Sequence, residues 1–385
     1  MTVRRKFSRC ILFGLLALPL AALAGPRYSV HVLAGVGSVA LDINAGGQVV
    51  GRYLNGNADQ RAFLHAGNAL LDLGTLGGAA SSANAINNSG QVVGMAQDAM
   101  GVSRAFSYSG GALADIGTLG GTAAAAYGVN GAGRIVGFAD VPPGAPGEYG
   151  RAFSYAGGVM ADLGTLPGGG ELSTASAVNG AGQIVGESSF GVFGGPEFAV
   201  HAFLYENGAM TDIGTLGGLH STASAINEAG VISGEASTAI DFGNGHTVRH
   251  AYLYVNGIMV DQGALGDLFA GSAARDVNNA GQAVGWSDME NSFNRHGFLY
   301  EAGQMLDLNS LIDPLSVWTI RDAFAINDLQ QIAATACMAD DCYAVRLDLV
   351  AEVPEPDSRA LALLGFALLG WSLRLTRRST RFSRS

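Results

Sequence analysis

The stretch Asp72 to Gly94, DLGTLGGAASSANAINNSGQVVG, decides the fold because most of it returns: DIGTLGG at 115–121, DLGTLPGG at 162–169 and DIGTLGG at 212–218. Self-similarity at a fixed period means one structural unit repeated, so the period is read before any residue is read for chemistry. The Asn of a recurring (I/V)-N-x-x-G marks the copies at Asn44, Asn87, Asn130, Asn179, Asn227, Asn278 and Asn327, with steps of 43, 43, 49, 48, 51 and 49 residues. That spacing is the length of one four-stranded propeller blade.

The pieces of a copy read as strands. Around Asn227, STASAIN (221–227) and VISGEA (231–236) flank Glu228-Ala229-Gly230, and HAYLY (250–254) and IMVDQG (258–263) flank the turn at Asn256-Gly257. Asn opening a turn with Gly three residues on is hairpin chemistry, since Asn caps the turn and Gly takes positive φ. Both faces are small or apolar, as in Ala202-Phe203-Leu204-Tyr205, which suits a sheet packed between two neighbours. With 57 Gly in 385 residues and 14% charged side chains, the chain is too apolar for disorder and too interrupted for a helical bundle. No helix is expected in the body.

The ends of the repeat complement each other. Before the first marker stands only YSVHVLAGVGSVALDIN (28–44), a last strand with its loop; after the seventh stands only CYAVRLDLV (342–350), one strand short. Pairing the strand near Tyr28–Leu33 with Ala344–Leu349 would complete a blade and close a ring. The expectation is an all-β propeller of about seven four-stranded blades over residues 25–350. Six is the alternative count, because Gln330 replaces the turn Gly of the seventh copy.

The flanks read as export signals. Arg4, Arg5, Lys6 and Arg9 precede the apolar run Cys10 to Leu20, and Ala22-Leu23-Ala24 offers a cleavage site, so residues 1–24 are expected to be a signal peptide. Cys337 and Cys342 then remain, in CMADDC, and an exported chain keeps disulfides, so a Cys337–Cys342 bridge across a hairpin end is expected. At the other end, Ala360 to Leu373 is an uncharged run of 14 residues. As a helix it measures about 21 Å, a short membrane anchor. The arginines after it would stay cytoplasmic by the positive-inside rule.

Val353-Pro354-Glu355-Pro356, the apolar segment and the terminal Arg cluster together resemble a PEP-CTERM sorting signal. The resemblance implies an exported protein of a Gram-negative bacterium, handled by exosortase-type machinery near Pro-Glu-Pro and associated with exopolysaccharide. It divides the tail into a linker (351–358), a transmembrane sorting helix (359–376) and a basic cytoplasmic end (377–385). The body between the two signals carries 11 basic and 30 acidic residues, net −19. Such a body is repelled by phosphate backbones, so no nucleic-acid partner is expected.

The repeats resemble the extracellular repeats called HAF. His-Ala-Phe stands at 201–203, with variants at Arg61, Arg104, Arg151, His250 and His296, each followed by a form of (L/I)-G-T-L-G-G. The resemblance implies an exported repeat protein without established catalysis.

Each of these six basic residues has an Asp eleven positions on: Asp72, Asp115, Asp162, Asp212, Asp261 and Asp307. A catalytic Asp would occur once, so the pairs are read as structural, facing each other across the third and fourth strands and fixing register. The GTLGG segments lack the Lys-Ser/Thr ending and the following helix of a phosphate loop, and are read as crossings between blades.

What varies is the loop between the second and third strands. These loops carry Glu148, Tyr149, Phe190, Phe193, Glu197, Phe198, Asp241, Phe242, Asp288, Glu290 and Phe293, aromatics beside acids that would suit sugar rings or a protein partner. No triad order, H-E-x-x-H or Cys/His metal spacing occurs. No cofactor is expected; calcium at Asp241–His246 or Asp288–Asn291 is the alternative, although neither segment has EF-hand spacing. The function expected is non-catalytic binding or structure at the cell surface or its matrix, toward exopolysaccharide or surface proteins. The rival is a propeller glycosidase or polysaccharide lyase using two carboxylates across the central face.

Overall fold

The computed structural model describes residues 27–142, 144, 150–168, 170–190, 198–241, 247–289 and 294–350. After β1 (Tyr28–Val36), blade 1 is built of β2 (Val39–Ile43), β3 (Val49–Leu54), β4 (Gln60–Ala66) and β5 (Ala69–Gly74). Blade 2 is β6 (Gly77–Ile86), β7 (Val92–Asp98), β8 (Ser103–Ser109) and β9 (Ala112–Asp115). Blade 3 is β10 (Ala124–Val129), β11 (Ile135–Ala139), β12 (Arg151–Ala156) and β13 (Val159–Asp162). Blade 4 is β14 (Ser173–Val178), β15 (Ile184–Phe190), β16 (Ala199–Glu206) and β17 (Ala209–Asp212). Blade 5 is β18 (Gly217–Ile226), β19 (Ile232–Asp241), β20 (Thr247–Val255) and β21 (Ile258–Asp261). Blade 6 is β22 (Ser272–Val277), β23 (Ala283–Asp288), β24 (Arg295–Glu301) and β25 (Gln304–Asp307). Blade 7 takes β26 (Thr319–Ile326), β27 (Ile332–Met338) and β28 (Asp341–Leu349).

Each blade is one antiparallel sheet in chain order, and blade 7 is completed by β1 in the order β1-β28-β27-β26. Tyr28 pairs with Leu349, Val30 with Leu347 and Val32 with Val345, the pairing that the complementary ends of the repeat demand. Seven blades therefore close, and the count of six is excluded. Among the described residues the one helix is a 3-10 turn at Leu308–Ser310.

The motif residues pack the blades. The aromatic rings Phe63, Phe106, Phe153, Phe203, Tyr252 and Phe298 are fully buried. Each lies on the Gly of the second strand: a Cβ at Gly51 would stand 2.0 Å from the Val39 carbonyl and 3.0 Å from the Phe63 ring, so only Gly fits. Cores form between blades rather than within them, as where Val50 and Ala62 of blade 1 join Ala83, Ile86, Val92 and Phe106 of blade 2. Cys337 lies directly opposite Cys342 across the β27–β28 hairpin and is bonded to it.

The seven marker asparagines are more than turn residues. Each donates its side-chain amide to the main-chain carbonyl of the next: Asn44 to Asn87 (3.2 Å), Asn87 to Asn130 (3.0 Å), Asn130 to Asn179 (2.9 Å), Asn179 to Asn227 (3.1 Å), Asn227 to Asn278 (2.9 Å) and Asn278 to Asn327 (3.3 Å). Asn327 returns to Asn44 at 3.0 Å. All seven are buried, so the ring works at low dielectric, where a satisfied network rigidifies and a broken one is costly. This end of the axis is the asparagine face. The opposite end, where the second and third strands join and the GTLGG crossings run, is the loop face.

Candidate functional site

Of the six repeated basic–acidic pairs, four form as contacts. Arg61 lies 3.5 Å from Asp72, His201 Nδ1 2.8 Å from Asp212, His250 Nδ1 2.9 Å from Asp261 and His296 Nδ1 2.8 Å from Asp307. The partners are diagonal rather than directly opposite. Asp212 is level with Phe203, because the turn is two residues long, centred on Asn207-Gly208, and shifts the register by two from a His201–Asp212 pairing. Arg104 binds Asp98 instead, at 3.0 Å, leaving Asp115 to accept the Gly117 amide. An Arg151–Asp162 bridge is not among the ion pairs of the described residues; Asp162 accepts the Gly164 amide. Burial pushes the Asp261 carboxyl up, but the His250 bond and the Gly263 amide hold it below its ordinary range.

The GTLGG segments turn tightly through their own side chains. The hydroxyls of Thr75, Thr118 and Thr215 donate to the carbonyls of Gly78, Gly121 and Gly218, and the second Gly passes so close to the neighbouring loop that a Cβ at Gly78 would stand 2.5 Å from the Asp98 carbonyl. A turn closed on itself in this way is a crossing, not an anion cradle.

Of the candidate loop residues, Glu148, Tyr149, Phe193, Glu197, Phe242, Glu290 and Phe293 lie outside the described residues. The sorting motif Val353, Pro354, Glu355 and Pro356 and the helix at 359–376 do as well. Phe190 is not an open platform: it packs edge-on to His201 with ring centres 4.8 Å apart and leans on the core of blade 4, because β15 extends through it. Asp288 stands 3.9 Å from Arg295. Phe198 and Asp241 are described and engaged with neighbours. Among the described residues no group of three or more metal-type ligands gathers, and no helix is long and apolar enough to cross a membrane.

Sequence reasoning missed the axis itself. In every blade the innermost strand shifts register just before its marker, as between Ala40 and Asp42 or between Ala323 and Ala325. The extra residue is Leu41, Asn84, Tyr127, Ser176, Ser224, Arg275 or Phe324. Such a bulge re-aims a side chain, and here all seven line a cavity of about 190 Å³ on the axis. The hydrophobic, polar and charged variety at this one position is the signal that was available, since the position just before it is Ala in all seven copies.

Two carboxylates border that cavity. Asp42 accepts the amides of Ile43 and Ile86, each at 2.7 Å, and Asp276 those of Val277 and Ile326, each at 2.8 Å, so each ties its blade to the next. Both touch the channel yet are closely surrounded by protein. Burial, then the charge of Asp276, pushes Asp42 up to about 7 against the pull of its two amides. Burial pushes Asp276 up to about 6.

One layer nearer the loop face, the blades stop resembling one another. Glu187, Glu235, Trp286 and Thr335 hold equivalent places in the second strands, opposite Thr174, Thr222, Ala273 and Asp322. Arg249 bonds Glu235 at 2.9 Å, and the Arg295 guanidinium lies over the Trp286 indole, 3.5 Å from its centre. Burial, then the Glu235 charge, raises the Glu187 pKa, while Arg249 lowers it. Burial pushes Asp322 up to about 6 although Arg275 and Arg295 pull it down. Asp322 Oδ1, Thr335 Oγ1 and Trp286 Nε1 are buried without a hydrogen-bond partner. This mixed-charge mouth spans blades 4 to 7 and is the candidate functional site.

Comparison with known proteins agrees with the architecture. The PEP-CTERM protein-sorting motif matches residues 352–378, which marks the chain as exported and sorted through its C-terminal segment. No curated protein matches the sequence. The β-propeller domain of the Trilobed protease from Pyrococcus furiosus is similar in fold, with a TM-score of 0.54 at 8% identity over 83% of this chain and 99% of that one. That domain is described as having an open velcro topology, whereas β1 here pairs with β28. More distant likenesses are a gluconolactonase from Xanthomonas campestris (TM-score 0.39, 12% identity, 86% and 93% coverage) and a Trypanosoma rangeli sialidase (0.37, 10%, 82% and 55%). At these identities the likeness concerns the fold alone.

Proposed function

We propose that the chain is an exported propeller of the cell surface or its matrix that binds exopolysaccharide or a surface protein without transforming it, using the loop-face mouth. One observation carries this reading: the polar residues that repeat are taken up by the framework, whereas polar residues that break the repeat stand along the axial channel and at its loop-face mouth. The asparagines bond one another around the ring, and serines at the head of the inner strands stitch blades, as Ser221 does to the Ala202 amide at 2.9 Å. Among the described residues, Glu187, Glu235, Arg249, Arg275, Trp286, Arg295 and Asp322 are of this second kind. The domain reading follows the same line: signal peptide to residue 24, propeller over 25–350, then linker, sorting helix and basic end. The His-Ala-Phe variants support kinship with HAF-type repeats.

A second reading has one observation in its favour. Burial, then the charge of Glu235, raises the Glu187 pKa, and a carboxyl held up in this way beside a second carboxylate is the arrangement that glycoside cleavage uses for its acid. Incubating the full chain with a panel of bacterial exopolysaccharides and sizing the polymers decides between the two. Retention without shortening is the expected result; release of oligosaccharides would overturn it in favour of a glycosidase or lyase.

A further inference from the structure

Two arginines break the repeat at one place. The residue before the His-Ala-Phe position is Gln60, Ser103, Gly150 and Val200 in blades 1 to 4, but Arg249 in blade 5 and Arg295 in blade 6. Both reach carboxylates, Arg249 to Glu235 at 2.9 Å and Arg295 to Asp288 at 3.9 Å. The arginine side chains keep 48% and 44% of their surface exposed, so each pair offers open donors beside acceptors. The next blade adds Asp322 and Thr335, level with each other on β26 and β27, each with an orphaned oxygen.

Pairs of this kind suit one chemistry. Neighbouring donors and acceptors match vicinal hydroxyls, which both give and take hydrogen bonds. An anion is disfavoured, because the arginines are already compensated and the body around them is strongly acidic. Buried polar atoms without partners lower stability, and such strained spots are where binding surfaces trade stability for function.

The placement is also right. Both ends of the described chain leave from the asparagine face of blade 7, where the Val350 amide donates to the Arg27 carbonyl at 2.9 Å. The sorting motif begins at residue 352, just past Val350 in the chain. The arginine pairs lie toward the opposite, loop-face end of the blades.

We propose that the Arg249–Glu235 and Arg295–Asp288 pairs of blades 5 and 6, with Asp322 and Thr335 of blade 7, form a binding site for a neutral glycan held through its hydroxyl groups. The site rests on the binding role proposed above and gives it a place and a ligand class.

The test is binding of the full chain, in detergent, to immobilised dextran, mannan and alginate, for the natural sequence and for R249Q/R295Q. Loss of two exposed pairs should leave thermal stability unchanged, since each contributes about 0–1 kcal/mol. Affinity for a neutral polymer should fall at least about tenfold, as expected when two charged hydrogen-bonding groups are lost from a binding site. Thr335→Val, which removes an orphaned hydroxyl, should weaken binding while keeping or raising the melting temperature. Neutral-glycan binding that is unaltered in all variants would overturn this site but leave the binding role standing. Retention by alginate alone, abolished by salt, would overturn the hydroxyl chemistry. Failure of the natural sequence to bind any glycan would overturn the polysaccharide role and this site with it.

Discussion

Asn327 donates its side-chain amide to the main-chain carbonyl of Asn44, 3.0 Å away although 283 residues separate them, and this bond shuts the asparagine ring. The same side chain bonds Gln331 Oε1 and accepts the amides of Leu329 and Gln331. Asn327→Ala should therefore destabilise the propeller by about 3 kcal/mol, the range for a buried hydrogen-bonded group whose partners are left unmatched. Urea unfolding measures it; a loss under about 0.5 kcal/mol would reduce the ring to ornament.

Stability should fall as pH rises from about 4 to about 7. Asp42 is raised from 3.8 to about 7 and Asp276 from 3.8 to about 6, so folding favours their protonated forms. Their contribution is full below the unfolded value and is lost through the folded one. Asp98, Asp348 and Glu301 are lowered, so their contribution is instead lost on acidification below about pH 4. The melting temperature should peak near pH 4–5 rather than at neutrality, and Asp42→Asn should flatten the decline above it. A curve rising from pH 5 to 8 would contradict this.

The ring depends on its borrowed strand. β1 supplies the outer strand of blade 7, and Arg27 fastens it through Glu301 and, at 2.7 Å, Gln330. Deleting residues 28–36 should abolish cooperative thermal unfolding, while Arg27→Ala should only lower the melting temperature. Circular dichroism on heating distinguishes the two.

Reducing the Cys337–Cys342 bond, or replacing both cysteines by Ala, should cost about 2 kcal/mol, since the loop it closes is short. Chemical denaturation with and without reductant checks the figure.

Exchange of bases at the His-Ala-Phe position should be mild. His201 and Arg61 occupy equivalent places and each meets the Asp eleven residues on, so His201→Arg should change stability by less than about 1 kcal/mol. A larger loss would show that His201, which also touches Phe190, has a packing role of its own.

Most of the fold was legible because its causes are local or periodic. The Asn-x-x-Gly turn dictates a hairpin wherever it occurs, and six of the seven markers carry it in full. Gln330 made the seventh copy doubtful, yet it adopts φ 60, close to the glycines it replaces, and its side chain holds Arg27 in return. The diagonal contact of His201 with Asp212 was harder to foresee, because it hangs on a turn of two residues rather than on spacing alone. The loop aromatics drew attention by their chemistry, whereas the mouth residues drew none: Glu187, Trp286 and Asp322 look ordinary along the chain and unusual only beside their counterparts.

By itself the sequence determined the repeat, the strands and turns within it, the pairing of its two incomplete ends, the disulfide and the export signal, since each follows from neighbouring residues or from a count. The tertiary structure alone decided what meets at the axis. Residues 43 to 51 positions apart come within 3.3 Å there only because seven wedge-shaped sheets close on one another. Closure also bulges every inner strand, so a position that alternation would hide in a sheet is turned into the channel, where its identity is free to differ from blade to blade.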